Sequence, residues 1–214
     1  MSSSMPSQEG ELDARVRRES PLHYVVDEVT AVVVGQRSAE TGVVIREFPD
    51  KGYLNLRGNP EDEGFRRGVA EVLGVELPLE PSSFATNGDN SVYWLGPDEW
   101  MVIVAGGSEV NIEGGFRQSL TGHFSVVDVS GGFISLRLSG EMVSMVLKKS
   151  SVYDFDPSGF RVGRCVQTTF AKASALVFKN ADGSFGLVFR RSFSDYLYRW
   201  IIDAADEYGI ASEG

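Results

Sequence analysis

Cysteine is nearly missing from this chain: Cys165 is the only one in 214 residues. A lone thiol excludes an internal disulfide framework and any site built from several cysteines, and it makes a reducing compartment the simplest home. At such a position the ordinary expectation is a small packed residue in or beside a strand. Histidine is almost as scarce. Neither His23 nor His123 has a partner at metal-binding spacing, so no metal centre is expected. Basic residues are in deficit: 20 Lys and Arg against 30 Asp and Glu give a formal net charge of -10. An acidic surface repels phosphate, which disfavours a general nucleic-acid binder. Long apolar runs are absent, so no bilayer-spanning segment is expected, and Met1 to Gly10 lack the basic start and apolar centre of a secretory signal. Neither Gly114-Gly115 nor Gly131-Gly132 belongs to a G-x-G-x-x-G run or a P-loop, so these pairs predict turns and not a nucleotide cradle. Together these absences predict a soluble cytoplasmic protein.

What is present centres on Ser91 to Val104. Two runs of β-branched and aromatic residues, Val92 to Leu95 and Trp100 to Val104, flank a polar break in which Pro97 presets φ for a turn, so a hairpin is predicted. A second hairpin of the same design is predicted from Ala173 to Lys179 and Phe185 to Phe189 around Asn180-Ala181-Asp182-Gly183. Both are too apolar to lie open to water. With 42% hydrophobic residues the chain can bury one large core or two intimately joined halves.

Before the first hairpin, residues 1–21 are polar and aperiodic and predict a flexible N-terminal arm, with a small basic cluster at Arg15, Arg17 and Arg18. Strands are predicted at 31–34, at Val43 to Phe48 and at Tyr53 to Arg57. A helix follows, with Asn59 as its cap, Pro60 at its first position and Glu61, Asp62 and Glu63 at the positive end of its dipole. Phe65, Val69, Val72 and Leu73 share its buried face, Gly74 stops it, and Gly68 predicts close packing against a sheet. A further short helix is predicted over Phe116 to Leu120.

In the second half, strands at Phe124 to Val129 and Phe133 to Leu138 lead into a helix over Glu141 to Lys149 with Met142, Met145 and Val146 on one side. The last helix carries Phe193, Tyr196, Leu197, Trp200, Ile201, Ala204 and Tyr208 on one stripe, and Ser192 with Asp195 predicts a capping box. Aligning Tyr53 with Phe133, Pro60 with Glu141, and one hairpin with the other gives two copies offset by about eighty residues. The predicted fold class is therefore α+β, with two pseudo-repeated strand-helix-hairpin-helix halves and mainly antiparallel sheets. Residues 22–214 are expected to form one such domain, with halves at about 22–122 and 123–214.

This succession resembles the gamma subunit of heterotetrameric sarcosine oxidase. The residues that carry the likeness are Leu54-Asn55-Leu56-Arg57-Gly58, the Leu-Gly-Pro-Asp-Glu-Trp run ending at Trp100, Asp128-Val129-Ser130, Leu138-Ser139-Gly140 and Arg190-Arg191-Ser192-Phe193. The second half looks more distantly like the folate-binding aminomethyltransferase of glycine cleavage, the T-protein, whose fold the family shares. The resemblance implies a structural subunit, without chemistry of its own, in a four-chain flavoenzyme that oxidatively demethylates sarcosine or a related N-methyl amino acid. That places it in sarcosine catabolism and folate-linked one-carbon metabolism. FAD, FMN, NAD, tetrahydrofolate and zinc would sit on the alpha, beta and delta subunits, and the hairpins and arm of this chain would pack mainly against the large alpha subunit.

A competing reading is a folate-dependent aminomethyltransferase-like enzyme acting alone. Its only candidate residue is Asp154, which falls after the Met142 to Lys149 helix where the T-protein keeps a folate-contacting aspartate. Tyr153 stands where that pattern has asparagine, and the later Gly-Gly and paired-aspartate segment has no counterpart around Gln167 to Lys172. Asp98 and Glu99, adjacent in a turn, are expected to be solvated. Arg190 and Arg191 suit an anion, and the expectation is an ion pair with a partner subunit.

Overall fold

A computed structural model of the chain describes residues 19–23, 41–156 and 158–213. The strand expected at 31–34, the basic cluster at 15–18 and all of the arm before Glu19 lie outside the described residues. Among the described residues, eleven strands form two sheets. The first sheet holds β2 (Lys51–Arg57), β3 (Phe84–Asn87), β4 (Asn90–Gly96), β5 (Glu99–Ala105) and β6 (Ser125–Asp128), in the order β3-β4-β5-β2-β6. The second holds β1 (Val43–Phe48), β7 (Phe133–Ser139), β8 (Cys165–Phe170), β9 (Ala173–Lys179), β10 (Phe185–Arg190) and β11 (Ile210–Glu213), in the order β11-β1-β7-β10-β9-β8. All pairings are antiparallel except β1 with β11.

The repeat is visible in these orders: β3-β4-β5-β2 corresponds to β8-β9-β10-β7. Its register differs from the alignment of Tyr53 with Phe133. Tyr53 stands opposite Ile103 in the first sheet, and the matching pair in the second is Ser135 opposite Val188, so the two copies are offset by two residues more. In this register Leu54-Asn55-Leu56-Arg57-Gly58 lies on Leu136-Arg137-Leu138-Ser139-Gly140. The strand ahead of each copy is exchanged. β1 precedes β2 but pairs with β7, while β6 precedes β7 but pairs with β2.

Among the described residues, four helices cover the outer faces. α1 (Glu63–Leu73) and α2 (Glu109–Ser119) bury Phe65, Val69, Leu73 and Phe116 against Leu54, Leu56, Trp100, Val102 and Val104. α3 (Val143–Ser150) and α4 (Ser194–Ala205) bury Val143, Val146, Leu147, Leu197 and Ile201 against Leu136, Leu138, Val177 and Leu187. The inner faces meet through Tyr53, Tyr93, Met101, Ile103, Cys165, Leu176 and Val188. Since side chains alternate along a strand, both faces of the central strands are buried and their sequences read as nearly continuous apolar runs. At one margin the sheets are also joined by backbone, Phe84 N to Gly163 O at 3.1 Å and Cys165 N to Ser82 O at 2.9 Å.

Several local expectations are corrected. α1 starts later than Asn59-Pro60: Asp62 is the N-cap, its carboxylate accepting from the N–H groups of Gly64 and Phe65, while Asn59 accepts from Glu61 in the preceding turn. A carboxylate that satisfies two first-turn donors and faces the positive helix end outcompetes the earlier amide. Gly74 closes the helix in the left-handed conformation, φ 67°, as expected. Gly68 packs against the end of α2 at Ser119 and Leu120, not against a sheet. α2 is a full helix from Glu109, longer than the stretch at Phe116 to Leu120. On α3, Met145 is exposed and Val143 and Leu147 take the inward phase. α4 has no capping box; Ser192 lies in a 3-10 turn over Arg191–Phe193, and Asp195 pairs with Arg199 at 2.8 Å. Its inward stripe runs through Leu197, Tyr198, Ile201 and Ala205, leaving Phe193 and Tyr196 outside.

Candidate functional site

The two hairpins were expected to offer apolar surface to another chain. Instead Trp100 to Val104 on β5 and Phe185 to Phe189 on β10 are buried in this chain's own layers. With a helix pair on one side and the opposite sheet on the other, no apolar face of either hairpin is left over. Cys165 is also buried, its thiol 3.2 Å from Ser83 O, and burial pushes it up to about 12. A thiol so held is a packing element and not a nucleophile.

Clefts open at several places among the described residues, and three of them bear on function. The first, about 720 Å³, forms where β10 ends and α4 begins. It collects Arg190, Arg191 and Ser192, the glycines Gly131 and Gly132 ahead of β7, and Glu19 to Pro21 with His23 from the N-terminal segment. Arg190 and Arg191 were singled out by sequence, as were the paired glycines, but nothing in the spacing put them together. The Arg190 guanidinium stacks on the Phe133 ring at 4.8 Å, next to Gly132. Arg191 donates to the Glu19 carbonyl at 3.4 Å. Among the described residues neither guanidinium pairs with a carboxylate. Of the two acids lining the cleft, Asp195 pairs with Arg199 at 2.8 Å, and Glu19 lies 3.8 Å from the His23 ring. Two consecutive exposed arginines without a carboxylate partner among the described residues are unusual on a chain of net charge -10.

The second cleft, about 670 Å³, lies beside Arg57, Asn59 and His123. Asp98 lines it and is held by Arg57 at 2.8 Å, while Glu99 accepts from Asn55 at 2.7 Å, so the adjacent carboxylates are tied into the hairpin. The third, about 490 Å³, opens between the ends of the two sheets over Tyr93, Ile103 and Phe178. Its rim carries two ion pairs, Lys51 with Asp89 at 3.2 Å and Arg137 with Asp182. Sequence reading passed over this opening, although it held a signal. Arg137 sits between Leu136 and Leu138 on the inward phase of a strand, and a cation there requires the sheets to part.

Asp154 lies in an exposed turn after α3, its carboxylate accepting the Asp156 N–H at 2.9 Å, and it lines none of these clefts. Tyr153 beside it packs on Phe155 and Phe160 at 5.1 and 5.7 Å. No group of three or more His, Cys, Asp or Glu suited to a metal occurs among the described residues, and no helix there is long and apolar enough to cross a membrane.

Comparison with known proteins gives a consistent picture. A family model described as sarcosine oxidase, gamma subunit family, matches residues 57–207. The gamma subunit of sarcosine oxidase from an Arthrobacter species is 31% identical over 193 residues, covering 89% of this chain and 91% of that one. The gamma subunit from Corynebacterium sp. strain U-96 is 29% identical over 200 residues, covering 92% and 94%. Among solved structures, a chain of the heterotetrameric sarcosine oxidase from Corynebacterium sp. U-96, in complex with pyrrole 2-carboxylate, matches with a TM-score of 0.77 and 27% identity over 92% of this chain and 99% of that one. Aminomethyltransferase T of the glycine cleavage system from Bartonella henselae shares the fold, with a TM-score of 0.64 at 9% identity over 92% of this chain and 60% of that one.

Proposed function

This chain belongs to the sarcosine oxidase gamma subunit family, and from that premise we propose that it is a structural, non-catalytic subunit of a heterotetrameric flavoenzyme that oxidatively demethylates sarcosine or a related N-methyl amino acid. The observation that carries this reading is the likeness, over nearly the whole of both chains, to one chain of a heterotetrameric sarcosine oxidase. The chain's own architecture supports it. Most of its described apolar residues are buried in two sheet-helix layers and the seam between them, and its cysteine is inert by burial. In this reading FAD, FMN, NAD, tetrahydrofolate and zinc are carried by the alpha, beta and delta subunits, and the large alpha subunit is the main contact. Residues 22–214 act as one domain, and the complex works in the reducing cytoplasm, where a single free thiol is stable.

The test is affinity purification of the tagged chain from its native cell. A yellow, flavin-bearing complex that oxidises sarcosine is expected to co-purify, and the isolated chain is expected to turn over neither sarcosine nor a folate adduct. Turnover by the isolated chain, or folate binding abolished by Asp154→Ala, would overturn the non-catalytic assignment.

A further inference from the structure

The internal repeat allows each corner of one copy to be compared with the same corner of the other, and one corner differs in charge. In the first copy, Lys51 pairs with Ala105 where β2 meets the end of β5; in the second, Phe133 pairs with Arg190 where β7 meets the end of β10. One step beyond these pairs, Asp50 and Gly106 in the first copy correspond to Gly132 and Arg191 in the second. In the first copy the corner is filled from within: the Asp50 carboxylate lies where a side chain on Gly106 would stand. In the second copy the small and large residues trade places. Gly132 has no side chain to offer, Arg190 and Arg191 line the cleft, and no carboxylate reaches either guanidinium among the described residues.

We propose that the Arg190–Arg191 cleft is a docking site for an acidic side chain, Asp or Glu, carried by another subunit of the same oxidase. This rests on the reading that the chain is an oxidase subunit. The partner carboxylate takes the place in the second copy that Asp50 holds in the first. Adjacent guanidiniums favour a carboxylate over a point anion because each presents a planar fork of donors. Stacking on Phe133 fixes the Arg190 plane in advance, which reduces the ordering cost of binding. Beside the cleft stand Phe193, 41% exposed, and Tyr196, 37% exposed, the residues that the apolar stripe of α4 leaves outside. Aromatic residues and arginine in one patch are the composition of interface centres. On a chain that is acidic overall, a basic patch attracts an acidic partner surface at a defined place, so it fixes orientation as well as affinity.

The experiment is co-expression of the chain with the remaining subunits of its oxidase, comparing wild type, Arg190→Glu/Arg191→Glu, Arg190→Lys/Arg191→Lys and the control Lys172→Glu on the exposed β8–β9 turn. Thermal melts of each isolated variant report folding, and Arg190→Gln/Arg191→Gln replaces the double reversal if that variant does not fold. The double reversal is expected to lower affinity for the complex by on the order of 100-fold. The lysine variant should lose less, and Lys172→Glu should assemble as wild type. Wild-type assembly is expected to weaken as sodium chloride is raised. If wild type assembles and the folded double reversal assembles equally well, the docking site is overturned while the subunit reading stands. If wild type itself fails to assemble, the subunit reading fails, and this inference with it. Saturable binding of phosphate by the isolated chain, lost in the double reversal while assembly is untouched, would identify a small-anion site and overturn the docking proposal.

Discussion

The Tyr53 hydroxyl donates to the Ser135 hydroxyl at 2.7 Å across the seam between the sheets, and the two residues hold the same place in the two copies of the repeat. Each copy therefore contributes one end of a buried hydrogen bond close to the pseudo-twofold relation. Burial pushes the Tyr53 phenol up to about 12, with the Ser135 bond pulling the other way. The bond's net worth is modest, but leaving either end unpaired in a closed layer is not.

Tyr53→Phe is expected to cost about 1 kcal/mol, and Ser135→Ala about 1–3 kcal/mol because it strands the larger buried phenol. Tyr53→Phe with Ser135→Ala should cost less than the sum of the two, since the pair is removed together. Urea unfolding of the four proteins measures the coupling; strictly additive losses would show that the bond does not join the sheets.

The exchanged strands make the two sheets interdependent. β1 belongs to the first half in sequence and to the second sheet in space, and β6 the reverse. Neither sheet can keep its full pairing once the other has opened, so residues 22–214 are expected to unfold in one transition. Trp94 and Trp100 report the first sheet and Trp200 reports α4. Fluorescence of Trp200→Phe and of Trp94→Phe/Trp100→Phe should track the circular dichroism of the same variant at every urea concentration. Two separated midpoints within one protein would mean independent halves.

The strands, hairpins and repeat were legible because β-branched and aromatic runs broken by Pro97-Asp98 or Asp182-Gly183 leave few alternatives. What failed was phase. Short helices such as α3 carry apolar residues all round, and only the packed sheet decides that Val143 and Leu147 turn inward while Met145 turns out. The repeat register slips by two residues when aromatic Tyr53 is aligned with aromatic Phe133, because both lie on the inner face and a two-residue shift preserves strand alternation. The Leu-x-Leu-x-Gly runs at 54–58 and 136–140 carry the correct offset. The first cleft was half legible: Arg190, Arg191 and Gly131-Gly132 were noticed, but their meeting depends on β7 pairing with β10, a contact between distant parts of the chain. An apolar hairpin cannot lie open to water, but here its cover comes from within the chain: the helix pair of the same layer on one face and the opposite sheet on the other.

Glu47 gives the chain a pH dependence of a definite sign. It sits half-buried on β1, accepts from the Ser20 hydroxyl, and is raised above 4.5 by burial, with the Ser20 bond acting against the shift. A carboxyl raised on folding contributes stability that is fully present below about 4.5 and lost as pH rises through its folded value. Glu47→Gln should therefore gain stability relative to wild type as pH is raised from 4 towards 7, and Ser20→Ala should enlarge the wild-type loss. Guanidinium unfolding across that range measures both; a wild-type minus Glu47→Gln difference that does not change with pH would reject the assignment.

Trp100 tests whether the central hairpin serves this chain's own core or a contact with another subunit. It is fully buried under α1, its indole N–H donates to Pro78 O at 2.9 Å, and its ring lies 5.9 Å from Phe65. Its cross-strand neighbour Trp94 is only partly buried. Trp100→Ala is expected to cost about 3–5 kcal/mol in the isolated chain through lost burial and the cavity left behind. Trp100→Phe keeps most of the ring but strands the Pro78 carbonyl, for about 1–3 kcal/mol. Trp94→Phe should cost least of the three. These losses belong to the isolated chain and should appear before any subunit is added. If Trp100→Ala instead melted like wild type alone and failed only in assembly, the hairpin would be interface after all, and the two-layer core built around it would have to be redrawn.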